Sequence, residues 1–270
     1  MLRTWAPKAG LLALFGACVW AGCGWQSAAL ASVTAPPKAA SQSSTKTQST
    51  QAPATDEAEA EAPVSPADIA KAKARADAVI AKGHAEGYFL NITDDASPKV
   101  RHKASGMECV FGVSDPAFLY IYPTPGVAAG EDVSCTSVST LASGQKILWT
   151  LYATRPAKVD ELEPLLAQMV SALKADMPDA APTEQHFTSL NLAAKKGADV
   201  PNHRAARFQA TTEGHPIYAR AAVGVVNGWV VSQRTTAPMD IARSADMMSE
   251  VVLDVAMADV FYAKPDKKGD

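Results

Sequence analysis

Between Arg207 and Thr236 three runs rich in apolar and β-branched residues follow one another, and turn residues interrupt them twice. Residues 207–212 read as a strand, 213–216 as a turn, 217–226 as a longer strand and 229–236 as a third. Asn227-Gly228 stands between the last two. A type I′ turn needs φ > 0 at both central residues, and Asn-Gly supplies this at little steric cost. A two-residue loop also fixes the register. It sets Val226 opposite Trp229, Val225 opposite Val230, Val223 opposite Ser232 and Ala221 opposite Arg234. Side chains alternate along a strand, so Ile217, Ala219, Ala221, Val223 and Val225 share one face, where a helix is expected. Tyr218, Arg220, Trp229 and Gln233 take the other face, which is more polar and expected to be partly exposed.

Elsewhere the apolar period lengthens to that of a helix. Ile69, Ala72, Ala76, Val79 and Ile80 lie on one face of a helix opened by Ser65-Pro66-Ala67-Asp68 and closed by Gly83. Leu162, Leu165, Leu166, Met169, Leu173 and Met177 form a broad stripe over residues 159–177, which Pro178 ends. A last helix over 241–261 carries Ala245, Met248, Val251, Val252, Val255 and Val260 near one face. Between the first two helices, residues 99–103, 108–111, 118–122, 132–138 and 146–154 read as strands, and 88–92 as a short strand or the tail of the helical region. Residues 187–191 read as a short strand and 197–202 as a loop. This order predicts an α+β fold: a mostly antiparallel sheet, with its meander around Asn227-Gly228, covered by helices in one domain over 66–263.

Composition bears on where the domain works more than on its fold. The 270 residues carry a net charge of −3, which argues against a nucleic-acid surface. Arg3, Lys8 and the apolar run 11–20 form a secretory signal, placing the signal peptide at 1–31. Two processing sites compete. Ala29-Leu30-Ala31 suits ordinary cleavage before Ser32, whereas Ala21-Gly22-Cys23 resembles a lipoprotein site that would leave Cys23 lipidated. Residues 32–65 form an Ala/Ser/Thr/Pro-rich disordered linker, and 264–270 a charged tail. Export leaves Cys109 and Cys135, which in an oxidising compartment read as one disulfide; two buried thiols or a metal site are the other readings.

At this point the layout takes on a likeness. Trp149-Thr150-Leu151-Tyr152, the amphipathic helix after it, the hairpin at Asn227-Gly228 and the final helix resemble the order of PsbP-like and DcrB-like domains. The likeness spans residues 108–261 as a pattern of elements, not as a residue motif. It implies an extracytoplasmic or lumenal α/β/α sandwich, often a lipoprotein or peripheral subunit, with a binding or scaffolding role and no shared catalytic site. Ser105-Gly106-x-x-Cys109 after His102 also resembles uncharacterised exported bacterial proteins, and brings no activity with it.

Candidate chemistry is sparse. His84, His102, His186, His203 and His215 are scattered without metal-ligand spacing, and Ser105 lacks the full nucleophile-elbow pattern. Gly224 and Gly228 belong to a hairpin, not to a phosphate loop. Lys99, Arg101, His102 and Lys103 are the densest basic run: a surface for an anionic partner, or a solvated edge strand whose lysines block sheet-to-sheet pairing. Arg220 and Arg234 fall on opposite faces and form no clamp. The expectation is a periplasmic, secreted or lipid-anchored envelope protein that binds or scaffolds, with no cofactor. A carrier or sensor of a small apolar or lipid-like ligand is the alternative, and a hydrolase with a spatially assembled site the third reading.

Overall fold

Ser65 opens the first helix of the computed structural model, which describes residues 64–183 and 202–263. Its Oγ accepts the Asp68 N–H at 3.1 Å and donates to the Asp68 carboxylate at 2.7 Å, and Pro66 needs no partner in the first turn. This helix, α1 (Pro66–Lys82), buries Ala72, Ala76, Val79 and Ile80. A small antiparallel sheet follows, β1 (Phe89–Asn91), β2 (Lys99–His102) and β3 (Glu108–Val110), with β2 in the middle. The basic run is therefore a central strand and not an edge: Leu90 and Glu108 flank Arg101 on its two sides.

The main sheet holds β4 (Ala117–Ile121), β5 (Asp132–Thr140), β6 (Lys146–Thr154), β7 (Ala181–Pro182), β8 (His203–Thr212), β9 (His215–Val226) and β10 (Trp229–Pro238). Its order is β4-β5-β6-β10-β9-β8-β7, and every pairing is antiparallel. Two meanders thus meet at one seam, where Val230 pairs with Thr154 and Thr236 with Leu148. Asn227 (φ 51°) and Gly228 (φ 79°) make the β9–β10 turn, and Val226 meets Trp229, Val225 meets Val230 and Ala221 meets Arg234 as the two-residue loop requires. The preceding turn is equally tight, since only Glu213 and Gly214 lie outside the strands and both take positive φ.

Helices lie on both faces of the main sheet. Helix α2 (Leu162–Asp176) lies on the Ala219/Ala221 face, where Leu173 packs with Phe208, Ala210, Ala219 and Ala221. Helix α3 (Ala242–Tyr262), together with α1 and the small sheet, covers the opposite face through Trp229, Val231, Leu151, Leu253 and Met257. The expectation of partial exposure there is corrected: Tyr218, Arg220 and Gln233 have no accessible surface at all. Helix α3 is also rotated relative to its apolar pattern. Val255 is half exposed, while Asp246, Ser249, Glu250 and Asp254 face the sheet.

Cys109 and Cys135 are bonded, Cα to Cα 6.4 Å, and tie β3 of the small sheet to β5 of the main one. No described helix is long and apolar enough to cross a membrane. The signal peptide, Cys23, the linker up to residue 63, the short strand at 187–191, His186 and the 264–270 tail lie outside the described residues.

Candidate functional site

Strand alternation in β2 turns Val100 and His102 inward and Lys99 and Arg101 outward. His102 is 1% exposed, with Phe89 at 5.1 Å and the Trp229 ring edge-on at 5.7 Å. Its Nε2 lies 2.8 Å from the Gly130 carbonyl. A carbonyl only accepts, so Nε2 carries the proton and Nδ1 is free to accept. Nδ1 then receives the Ser105 hydroxyl at 2.8 Å and the Ser105 N–H at 3.3 Å, while Met107 N–H donates to Ser105 Oγ at 3.1 Å. A hydroxyl, a base and an acceptor that orients the base are the parts of an activated nucleophile. Here they are sealed in, because Ser105 is also 1% exposed. Burial holds the imidazole neutral, with its pKa pushed down to about 4. The arrangement clasps the β2–β3 turn to the backbone at Gly130; it offers a substrate no approach.

The second cluster lies between α3 and the strands beneath it. Pairing sets Arg207 of β8 directly opposite Arg220 of β9, two cations that would repel without carboxylates between them. α3 supplies these at helical spacing, through Asp246, Glu250 and Asp254. Arg207 donates to Asp246 at 2.7 Å and to Glu250 at 2.7 Å, and Tyr218 donates its hydroxyl to Asp246. Arg220 stands 3.0 Å from Glu250 Oε1 without the alignment of a hydrogen bond, and donates to the Gln233 side-chain carbonyl. His203 closes the cluster on Glu250 at 2.6 Å and Asp254 at 3.4 Å. Burial opposes charging of His203, but hydrogen bonds to Asp254 and Glu250 outweigh it and hold its pKa up to about 9. Burial likewise opposes charging of Glu250, yet His203 and Arg220 bring it down to about 2. Three cations thus face three carboxylates. Such a balanced set fixes the rotation of α3 and leaves no charge over for a ligand.

The sequence held a signal for this cluster. Asp246, Glu250 and Asp254 repeat every fourth residue on a helix, and Arg220 interrupts the otherwise uncharged, mostly small or apolar run 217–226. Reading the apolar stripe alone passes over both.

The basic run does not form a free patch. Lys99 Nζ is held by Asp94 at 2.8 Å and Asp95 at 2.6 Å, and Arg101 by Glu108 at 2.5 Å. Lys103 Nζ donates to the Glu86 and Gly87 carbonyls. His102 points into the core, so it is no part of any outer surface. Among the described residues no group of His, Cys, Asp or Glu is placed to hold a metal.

One aromatic row remains, on the side of the main sheet that carries α2. Phe118, Tyr120, Tyr122 and Tyr152 stand in line with centroids 6.3 to 6.5 Å apart, all half-buried. α2 packs over β8 and β9, whereas this row belongs to β4, its continuation and β6. Tyr122 shares a hydrogen bond with Ser134 at 3.0 Å. Beside it Asp132, itself buried, is held by the hydroxyls of Thr154 and Thr124.

No family model matches the chain, and no curated protein does. Among solved structures it is similar to PA94 of Pseudomonas aeruginosa, a protein of unknown function, at 9% identity and a TM-score of 0.29 over 54% of this chain and 88% of that one. It is also similar to LpqN of Mycobacterium tuberculosis, described as involved in cell envelope biogenesis, at 10% identity and a TM-score of 0.28 over 52% and 82%. Likeness this slight carries no functional argument.

Proposed function

We propose that this is an exported cell-envelope protein, a non-enzymatic binding or scaffolding domain of the PsbP-like and DcrB-like sandwich layout, working through its surface. The observation that carries the reading is the half-buried aromatic row Phe118, Tyr120, Tyr122 and Tyr152, which lies beside the strands that α2 packs over, with Lys82 of α1 reaching the Phe118 ring at 4.8 Å. Tyrosines bring large contact area with few rotatable bonds, and they are enriched where proteins meet partners. Two further facts support it. The buried Cys109–Cys135 bond suits an oxidising compartment, and the Ser105–His102 pair has no access to solvent.

The test compares the mature protein with a Tyr120→Ser/Tyr152→Ser variant, each tagged and added to solubilised envelope fractions. The reading expects a component retained by the first and lost by the second, with both proteins equally folded by circular dichroism. Identical capture by the two would remove the aromatic row as the contact face. Recovery of the native protein from the cytoplasmic fraction with both thiols free would remove the envelope assignment.

A further inference from the structure

Helix α3 carries its charges inward, and the face it turns to solvent is apolar. Met247, Val255 and Tyr262 are 51%, 51% and 56% exposed, and Val251 and Ala258 lie half-buried between them. The steps from Met247 to Val251, Val255, Ala258 and Tyr262 are four, four, three and four residues. That spacing keeps all five within about 80° of the helix circumference, in a stripe about 22 Å long. No charge interrupts it. Asp246, Glu250 and Asp254 are buried against the sheet, Asp259 is half-buried and accepts the Glu108 N–H, and Arg243 stands a turn ahead of Met247. The rotation that brings carboxylates to Arg207 and Arg220 is what sends the stripe outward.

Charge narrows what could cover it. A helix lying on a membrane surface sets Lys or Arg along its polar border. The described residues of α3 offer only Arg243 for this, at one end. A charged protein partner finds nothing on the stripe to pair with. The fitting surface is another uncharged stripe of equal length, and this chain carries one that matches itself. Met247 and Tyr262 are equally far from the midpoint of the stripe, as are Val251 and Ala258, and Val255 stands beside that midpoint. Run backwards, the pattern is almost the same pattern.

We propose that the outer face of α3 is a self-association surface, on which a second copy of this chain packs its own α3 antiparallel across a twofold axis at Val255. In a twofold contact, if one residue meets another, the second also meets the first. Met247 meets Tyr262 of the second copy in this way, a thioether against an aromatic ring. Val251 meets Ala258 likewise, and small side chains in the middle let the helix axes approach to about 8 to 10 Å. A single helix pair covers less than the roughly 800 Å² per partner of a standard interface, so the dimer is weak and forms as concentration rises. The aromatic row lies on the other side of the main sheet, so the inference stands apart from the binding role proposed above.

The experiment is sedimentation equilibrium of the mature protein from about 1 µM to about 1 mM, with vesicle flotation beside it. A monomer–dimer equilibrium is expected. Val255→Glu sets two carboxylates at the axis and should raise the dissociation constant at least about tenfold. Met247→Glu and Tyr262→Lys should each weaken the dimer, and the two together should restore it. Their opposite charges meet only between copies, since within one chain they stand about 22 Å apart. A protein that stays monomeric up to about 1 mM overturns the proposal. A dimer that Val255→Glu leaves intact, or that the paired charges fail to restore, overturns it as well. Binding to phosphatidylcholine–phosphatidylglycerol vesicles that Val255→Glu abolishes, with no dimer in solution, overturns it in favour of a lipid surface. Circular dichroism checks the fold of each variant; should Val255→Glu fail to fold, the charge pair decides the matter.

Discussion

Asn227 has two tasks that different substitutions separate. Its backbone sits at φ 51° in the β9–β10 turn, and its side chain bonds two carbonyls at the end of α3. Asn227→Gly keeps the turn and removes only the side-chain bonds, so a loss of about 1 to 2 kcal/mol is expected in urea denaturation. Gly228→Val, at φ 79°, leaves those bonds alone and strains the turn, with an expected cost on the order of 1 to 3 kcal/mol. An unchanged midpoint for Asn227→Gly would mean that the helix-end bonds contribute nothing. The turn was legible in the sequence because its chemistry is contained in two adjacent residues. The second task was not, because the partners of Asn227 lie more than thirty positions along the chain. His102 makes the same point. Its neighbours Lys99, Arg101 and Lys103 suggested a basic surface, but alternation along β2 sends it inside, to a proton-bearing contact with Gly130 that no local pattern encodes.

Helices α1 and α2 followed their apolar periodicity, whereas α3 did not, and the reason is electrostatic. Arg220, fully buried in β9, and Arg207, part-buried opposite it in β8, cost more to leave unpaired than Val255 costs to expose, so the helix turns its acidic side to the sheet. Arg220→Met is expected to destabilise by about 3 to 5 kcal/mol, because Glu250 and Asp246 then stay buried with too little positive charge. Adding Glu250→Leu to Arg220→Met should leave a loss smaller than the sum of the single changes, measured as a double-mutant cycle by thermal denaturation. The cluster also sets a pH profile. His203, raised to about 9, contributes stability that is complete below its ordinary 6.5 and is lost as pH climbs through 9. Glu250, lowered to about 2, contributes above its ordinary 4.5 and loses this as pH falls through 2. His203→Gln should therefore flatten the alkaline limb of the stability curve and also shallow the acid limb, because His203 leads the groups that hold Glu250 low and only the share due to Arg220 remains. A profile with the same alkaline limb in both proteins would show that His203 is not held in its charged form.

The α+β class, the antiparallel meander and the pairing of Cys109 with Cys135 were all readable in advance, because each rests on patterning or on a count of two. The division into two sheets was less so, since β1 to β3 are only three or four residues long, too short for their alternation to show which sheet they join. The disulfide is what joins the two sheets covalently, closing a loop over a sequence separation of 26. Its reduction should cost about 3 kcal/mol on the chain-entropy account, read as a shift of the urea midpoint between oxidised and reduced protein.

The seam between β6 and β10 governs the order of assembly. Each meander is built from hairpins between neighbouring strands, and such local pairs close early. Joining them requires Thr154 to find Val230 across about 75 intervening positions, so the loop entropy of that step is charged late. Gly228→Val should accordingly slow refolding, while Leu151→Ala, under the seam, should mainly hasten unfolding; stopped-flow chevrons would separate the two limbs. Until the seam forms, β6 and β10 each present an open row of backbone donors and acceptors to any other chain nearby. The concentration at which refolding begins to fail through aggregation should thus be set by the lifetime of that intermediate, and should fall further in any variant that slows the joining of the two halves.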